Sequence, residues 1–381
     1  MLRRNPYTFI GIVAVGFAVI AVVFSIRLDD PLTDPEGFLG PAYIRLPLLA
    51  LMFFAAGIVP QAISRYGVKR VAWGVREVVR KDWTWGRFGY IAAGLLAFYT
   101  SYVSYRNLKN YLPELRPPTW DRELDTLDHW LFFGNYPSDL LHQVLGTGIV
   151  AQVIAAIYVS YLMLIPITLG AYLVLNRDVS IGAWYATALS LNWILGTISY
   201  YILPTVGPAF AFPARFEIID STPASELQRS LFRAGRDVIE NDQSTSIYGI
   251  AGFASLHVSV VFTACLFFEM TKIHPLLRLT AWIYFVGTLL ATVYFGWHYV
   301  SDDVAGLLIG VISVWLGAWA TGNTKRQRAR AAAGHPDVDN PDVRPRADDQ
   351  PVGATAHRGD QTTEGDPRSD DDESGTVVST A

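Results

Sequence analysis

Hydrophobic positions in this chain gather into blocks of about twenty residues, separated by polar segments. Eight blocks stand out, at roughly 7–26, 43–63, 88–105, 147–174, 181–203, 256–271, 279–297 and 303–320. Wound as helices, runs of that length match the hydrocarbon thickness of a bilayer. The sixth is short, and Pro166 offers a kink in the fourth. The first block follows Arg3 and Arg4, as a signal peptide would. It is long for a signal, and no small-residue cleavage site precedes Asp29 and Asp30, so a retained anchor is expected. The pattern predicts an all-α integral membrane protein of about eight transmembrane helices.

Composition agrees: 51% of the 381 residues are hydrophobic and 17% charged, too apolar a balance for a soluble enzyme of this size. The single cysteine, Cys265, lies inside the sixth block, so no internal disulfide can form, and a packing role is expected. Neither a Cys/His metal cluster nor a basic excess that would suit a nucleic-acid partner is present. The net charge of −4 is carried wholly by residues 323–381. That tail is rich in Asp, Arg, Pro, Gly and Thr and nearly free of aromatics, so it is expected to be disordered.

Positive charge in short loops sets orientation. Arg3 and Arg4, the loop RYGVKRVAWGVREVVRKDWTWGR and the segment TKRQRAR fall on one side of an even-span topology, which becomes the cytoplasm. Both termini are then cytoplasmic, in a multi-pass protein of the cell membrane. The segments 106–146, 204–254 and 297–302 face the opposite, extracytoplasmic side.

Two short sequences on that side carry candidate chemistry, GFASLHVS and YFGWHYVSDDVAG. His257 opens the sixth block, and His298 ends the seventh with Asp302 four residues on. A histidine nucleophile, a carboxylate that orients it and a second histidine as acid suffice for phosphoryl transfer without a metal. Ser255 stands at an expected helix N-terminus, where unpaired N–H groups favour an anion. Ser301 or Asp302 is the expected cap of the eighth helix, and Asp303 is expected to be solvated. His129 and His142 have no evident partner, and Trp83, Trp85, Trp120, Trp130 and Trp297 read as interfacial belt residues.

GFASLHVS and ATVYFGWHYVSDDVAG resemble the second and third motifs, P-S-G-H and S-R-x5-H-x3-D, of the type-2 phosphatidic acid phosphatase superfamily. The resemblance implies a phosphohistidine at His298, activated by Asp302, with His257 as the acid. It implies no metal and no cofactor. KNYLPELRP matches the first motif, K-x6-R-P, and nominates Lys109 and Arg116 as phosphate-binding cations, with Arg106 and Ser255 beside them. Arg215, Arg229, Arg233 and Arg236 form a reserve set. Ala291-Thr292 stand where the family has Ser-Arg, and Ser-Leu-His replaces Ser-Gly-His. Those departures, with LDHWLFFGNYP and YYILPTVGPAF, are similar to the branch containing fungal inositol phosphorylceramide synthase, which transfers a phospho-alcohol group between lipids.

The expected organisation is two N-terminal helices with a basic loop over 1–87, a six-helix phosphatase-like core over 88–322 and the tail over 323–381. The expected partners are a lipid phosphate substrate and a lipid or glycan acceptor. The alternatives are a phosphatase that uses water, and a non-catalytic lipid transporter or scaffold. The near absence of ionisable residues inside the spans, Glu269 aside, speaks against a translocation path.

Overall fold

A computed structural model describes residues 5–33, 42–115, 117–176, 178–240 and 252–325, with side chains omitted at 42–47, 49–50 and 232–240. The described residues belong to one compact unit, Met1–Pro345, and contain helices and no strand. Arg116 and the tail beyond 325 lie outside the described residues.

The order is α1 (Thr8–Leu28), α2 (Ala42–Tyr66), α3 (Val71–Asp82), α4 (Trp85–Tyr111), α5 (Asp121–Leu131), α6 (Pro137–Leu145), α7 (Ile149–Gly170), α8 (Val179–Ile202), α9 (Pro208–Ala211), α10 (Pro223–Glu240), α11 (Leu256–Met270), α12 (Pro275–Tyr294) and α13 (Val300–Ala320). Each of the eight apolar blocks coincides with one of these helices. Four are long and apolar enough to cross a membrane: α1, α7 with its extension to Leu175, α12 and α13. A fifth candidate is the pair Leu51–Tyr66 and Val68–Asp82, bent by 117°. The chain is therefore a multi-pass membrane protein by the length and composition of its helices.

Pro166 does not end α7, which runs on and widens into a π turn over Ala171–Leu175. The polar segments also hold more structure than the pattern predicts. The basic loop contains α3, the segment before the fourth block contains α5 and α6, and the segment after the fifth contains α9 and α10.

Helix α8 is the hub, buried along most of its length and packed against α4, α11 and α13. Small residues allow the close approach of α13, the usual means of tight helix association in lipid. A Cβ at Gly306 would stand 2.4 Å from the Ser255 carbonyl oxygen, and one at Gly310 would stand 3.0 Å from that of Ser259. One at Gly317 would meet Trp184 at 3.0 Å. Several polar groups inside the bundle are paired, as a low dielectric favours. Asn192 on α8 donates to Thr263 at 3.1 Å and accepts from Ser259, and Trp184 Nε1 donates to the Val314 carbonyl at 2.8 Å.

The backbone contact at Gly306 yields a test. Gly306→Ala should push α13 off the start of α11 at a cost of about 1–3 kcal/mol. A lowered melting temperature in detergent is the expected result, and Gly11→Ala, where a Cβ meets nothing within 4 Å, should leave it unchanged.

Candidate functional site

The site forms where α12 stops. Gly296 adopts φ +64°, and the N–H groups of Gly296 and Trp297 donate to the carbonyls of Val293 and Thr292 at 3.0 and 2.9 Å. This is a Schellman stop, in which the left-handed residue is nearly always glycine. Any side chain at Gly296 would also enter the ring of Phe216, 2.2 Å away. The stop turns the chain so that Trp297, His298 and Tyr299 pass through the interior before α13 begins at Val300.

The cap of α13 differs from the expected one. Tyr299 is the N-cap, and Asp302, in the third helical position, reaches back so that its Oδ2 accepts from the Tyr299 N–H at 3.1 Å. The same oxygen lies 3.2 Å from His298 Nδ1, with both side chains buried. One carboxylate oxygen therefore holds the helix start and the imidazole together. Asp302 Oδ1 is buried and finds no partner among the described residues. Burial, with the charges of His257 and Lys109, holds the His298 imidazole well below its ordinary range, and so neutral.

Asp303 is not solvated. Its side chain is buried, with Oδ2 2.8 Å from the Thr292 hydroxyl and a further hydrogen bond from Ser255. Thr292 occupies the position of the family arginine, so a buried hydroxyl–carboxylate contact stands where a cation is expected. Ser255 caps α11, accepting from the Val258 N–H at 3.4 Å, and its own N–H donates to the Asp302 carbonyl at 3.0 Å. The two histidine-bearing segments are thus joined through backbone.

His257, in the first turn of α11, brings its ring centroid to 5.9 Å from that of His298. Tyr158 stacks on His257 at 4.6 Å and on Trp297 at 5.1 Å, and Tyr161 lies 4.3 Å from His257. Trp297 is therefore not a belt residue; it is 4% exposed, and its Nε1 has no partner among the described residues. Trp83 is likewise buried, whereas Trp85, Trp120 and Trp130 are exposed.

Of the nominated cations, Lys109 near the end of α4 is close enough to influence both histidines, and its ammonium sits 5.5 Å from the Tyr200 ring centroid. Arg106, one turn back, is charge-coupled to Lys109, and its buried Nε has no partner among the described residues. Two of the reserve set are placed elsewhere. Arg215 is bound to Asp125 at 2.7 Å and lies over Tyr136, and exposed Arg229 pairs with Glu226. The side chains of Arg233 and Arg236 lie outside the described ones.

Helix α5 supplies residues that the motif reading missed. Asp121 is buried and accepts from the N–H groups of Val206 and Gly207 at 3.1 and 3.0 Å and from the Tyr299 hydroxyl at 3.0 Å. Asp128, 4% exposed, accepts from the Val300 N–H at 2.8 Å and also from the backbone of Ser301. The turn carrying His298 is held from outside by two carboxylates of one helix. His142 also contributes, with Nε2 2.8 Å from the Tyr294 carbonyl. Both histidines of this region thus have structural neighbours, since His129 lies against Tyr136 with ring centroids 4.7 Å apart.

Burial pushes the Asp128 carboxyl up to about 6, against the pull of the two backbone N–H groups. A carboxyl raised in the fold stabilises it fully below the unfolded value, and that contribution is lost as pH rises towards the folded value. The melting temperature of the wild type relative to Asp128→Asn should therefore fall between about pH 4 and pH 7. A constant difference across that range would show that Asp128 does not titrate as described.

A family model for the PAP2 superfamily matches residues 122–316, from the second residue of α5 nearly to the end of α13. The span includes His257, His298 and Asp302 and leaves Arg106 and Lys109 outside. Comparison with curated proteins and with solved structures gives no match. A turn holding His298 against Asp302, with His257 facing it from the neighbouring helix start, agrees with that match. The chain belongs to the PAP2 superfamily, the type-2 phosphatidic acid phosphatases, which are in general phosphatases and phosphotransferases.

Proposed function

We propose that the protein transfers a phosphoryl or phospho-alcohol group from a lipid phosphoester, phospholipid or polyprenyl, to the hydroxyl of a lipid or glycan. The observation that carries the reading is the Asp302–His298–His257 arrangement, with Nδ1 of His298 committed to Asp302 at 3.2 Å and the second imidazole 5.9 Å away, centroid to centroid.

With Nδ1 committed, Nε2 of the neutral His298 is the nucleophile. It attacks phosphorus as the bond to the leaving alkoxide breaks, and His257 gives that oxygen its proton. Asp302 stabilises the positive charge that develops on the ring, the orienting role of the acid in any His–Asp pair. An acceptor hydroxyl then attacks the phosphohistidine, and His257 takes up its proton. Lys109 and Arg106 neutralise phosphate oxygens, joined by Arg116 from outside the described residues and by the helix start that Ser255 caps. No step requires a cofactor.

Tyr158, Tyr161 and Trp297 wall the histidines with aromatic surface, and Thr292, hydrogen-bonded to Asp303, stands in place of a phosphate-binding arginine. Both features favour a lipid hydroxyl over water and the inositol phosphorylceramide synthase-like branch over a simple phosphatase. Release of inorganic phosphate is the second reading, and the same residues serve it with water as acceptor. A transporter or scaffold gains nothing from a neutral histidine clamped by a buried carboxylate. The positive-inside pattern supports a site on the extracytoplasmic face of the cell membrane, in an eight-span reading with cytoplasmic termini.

The test is purified protein in detergent with labelled lipid phosphates, with and without lipid alcohols. Label should move to a new lipid, and its appearance only as inorganic phosphate would favour the second reading. His298→Ala should abolish turnover, and retained activity would refute the mechanism. His257→Ala should lose about 10²–10⁴-fold on a lipid alkoxide and recover much of it on a nitrophenyl ester, whose leaving group needs no proton. Lys109→Met should raise KM about tenfold or more, as expected for a lost hydrogen bond to a charged group.

A further inference from the structure

Helix α5 is amphipathic in the opposite sense to a helix on a water-soluble protein. Its acids Asp121, Asp125 and Asp128 turn inward, where they bind backbone, the Tyr299 hydroxyl and Arg215. Leu124 is buried with them, and the other apolar side chains are outside: Leu127, Trp130 and Leu131 are 40%, 74% and 46% exposed, the N-cap Trp120 is 44% exposed, and Phe133 just beyond is 96% exposed. Arg122 and Thr126 are exposed as well and form a polar edge beside the apolar surface, and exposed Glu123 lies within that surface, between Leu127 and Trp130 on the helical wheel.

The height of this surface follows from one bond. Asp128 accepts from the N–H of Val300, the first residue of α13, and α13 is long and apolar enough to span a membrane. Helix α5 therefore sits at the end of a span, at the level where a bilayer passes from hydrocarbon to headgroups. We propose that α5 and the turn after it are seated in that boundary, with Trp120, Leu127, Trp130, Leu131 and Phe133 against lipid. Tryptophan and phenylalanine on an in-plane helix suit this zone, where one side is apolar and the other wet. The consequence reaches the histidines. The helix that rests on lipid also holds the Tyr299–Val300 backbone and hydroxyl through Asp121 and Asp128, so the surface that supplies a lipid substrate fixes the height of the His298 turn.

A quenching experiment tests the seating without turnover, so it is independent of the catalytic reading. Cys265 is buried and is replaced by alanine, and single cysteines are placed by Phe133→Cys, Trp130→Cys and Thr126→Cys in the full chain. Each is labelled with a fluorophore and reconstituted into phosphatidylcholine–phosphatidylglycerol vesicles. Labels at 133 and 130 should lose most of their emission to nitroxide-bearing lipid and little to iodide, and the label at 126 should show the reverse. Strong iodide quenching at both 133 and 130 would overturn the proposal in favour of a solvated face. Quenching by neither agent, with cross-linking between copies, would overturn it in favour of an interface with a second chain. If one apolar-face variant fails to fold, the other carries the test.

Discussion

Asp302 Oδ2 holds two groups, the N–H of Tyr299 at the start of α13 and Nδ1 of His298. Its position in the third residue of the helix makes the first bond a local matter of capping. The second then follows from geometry, because a residue just before the N-cap is within reach of the third helical position. The backbone of Asp302 adds a third link by accepting the Ser255 N–H, which brings the start of α11 and His257 to the same place. If this carboxylate were lost, the helix start and the imidazole would loosen together.

Around that point the fold works to make a turn rigid. The Schellman stop at Gly296 ends α12, Ala209 donates to the Gly296 carbonyl, and Gln228 donates to that of Phe295. Asp121 and Asp128 secure the other end of the same turn. The glycines of α13 let its backbone approach α11 so closely that Gly306 contacts the Ser255 carbonyl directly. Aromatic rings fill the remaining space, Tyr158 stacking between Trp297 and His257. Each device is ordinary, and together they fix an imidazole where burial keeps it neutral.

Much of the fold is legible in the sequence because a bilayer demands apolar helices, and each apolar block became a helix, four of them long and apolar enough to span. The spacing of His298 and Asp302 is equally readable, being a contact of four residues. Gly296 before them is a helix stop in plain view. The remainder depends on which face of a helix turns inward. Asp303 reads as a solvated cap because nothing local announces Thr292 and Ser255 opposite it. Trp297 sits at a predicted membrane edge, yet the stop carries it inside. Asp121 and Asp128, at helical spacing among Trp and Leu, look like the wet face of a surface helix. Only knowledge that the neighbours are unpaired N–H groups of Val206, Gly207 and Val300 reverses that reading. The Gly306–Gly310 spacing was a signal of close packing available from sequence alone.

The central claim is that His298 becomes phosphorylated. Purified protein mixed with a lipid phosphate carrying labelled phosphorus, quenched within milliseconds in alkaline denaturant and digested, should yield one labelled peptide that contains His298. The label should be stable in base, labile in acid and missing from His298→Ala. Turnover with no trapped label in the wild type, or with label on another residue, would contradict the account.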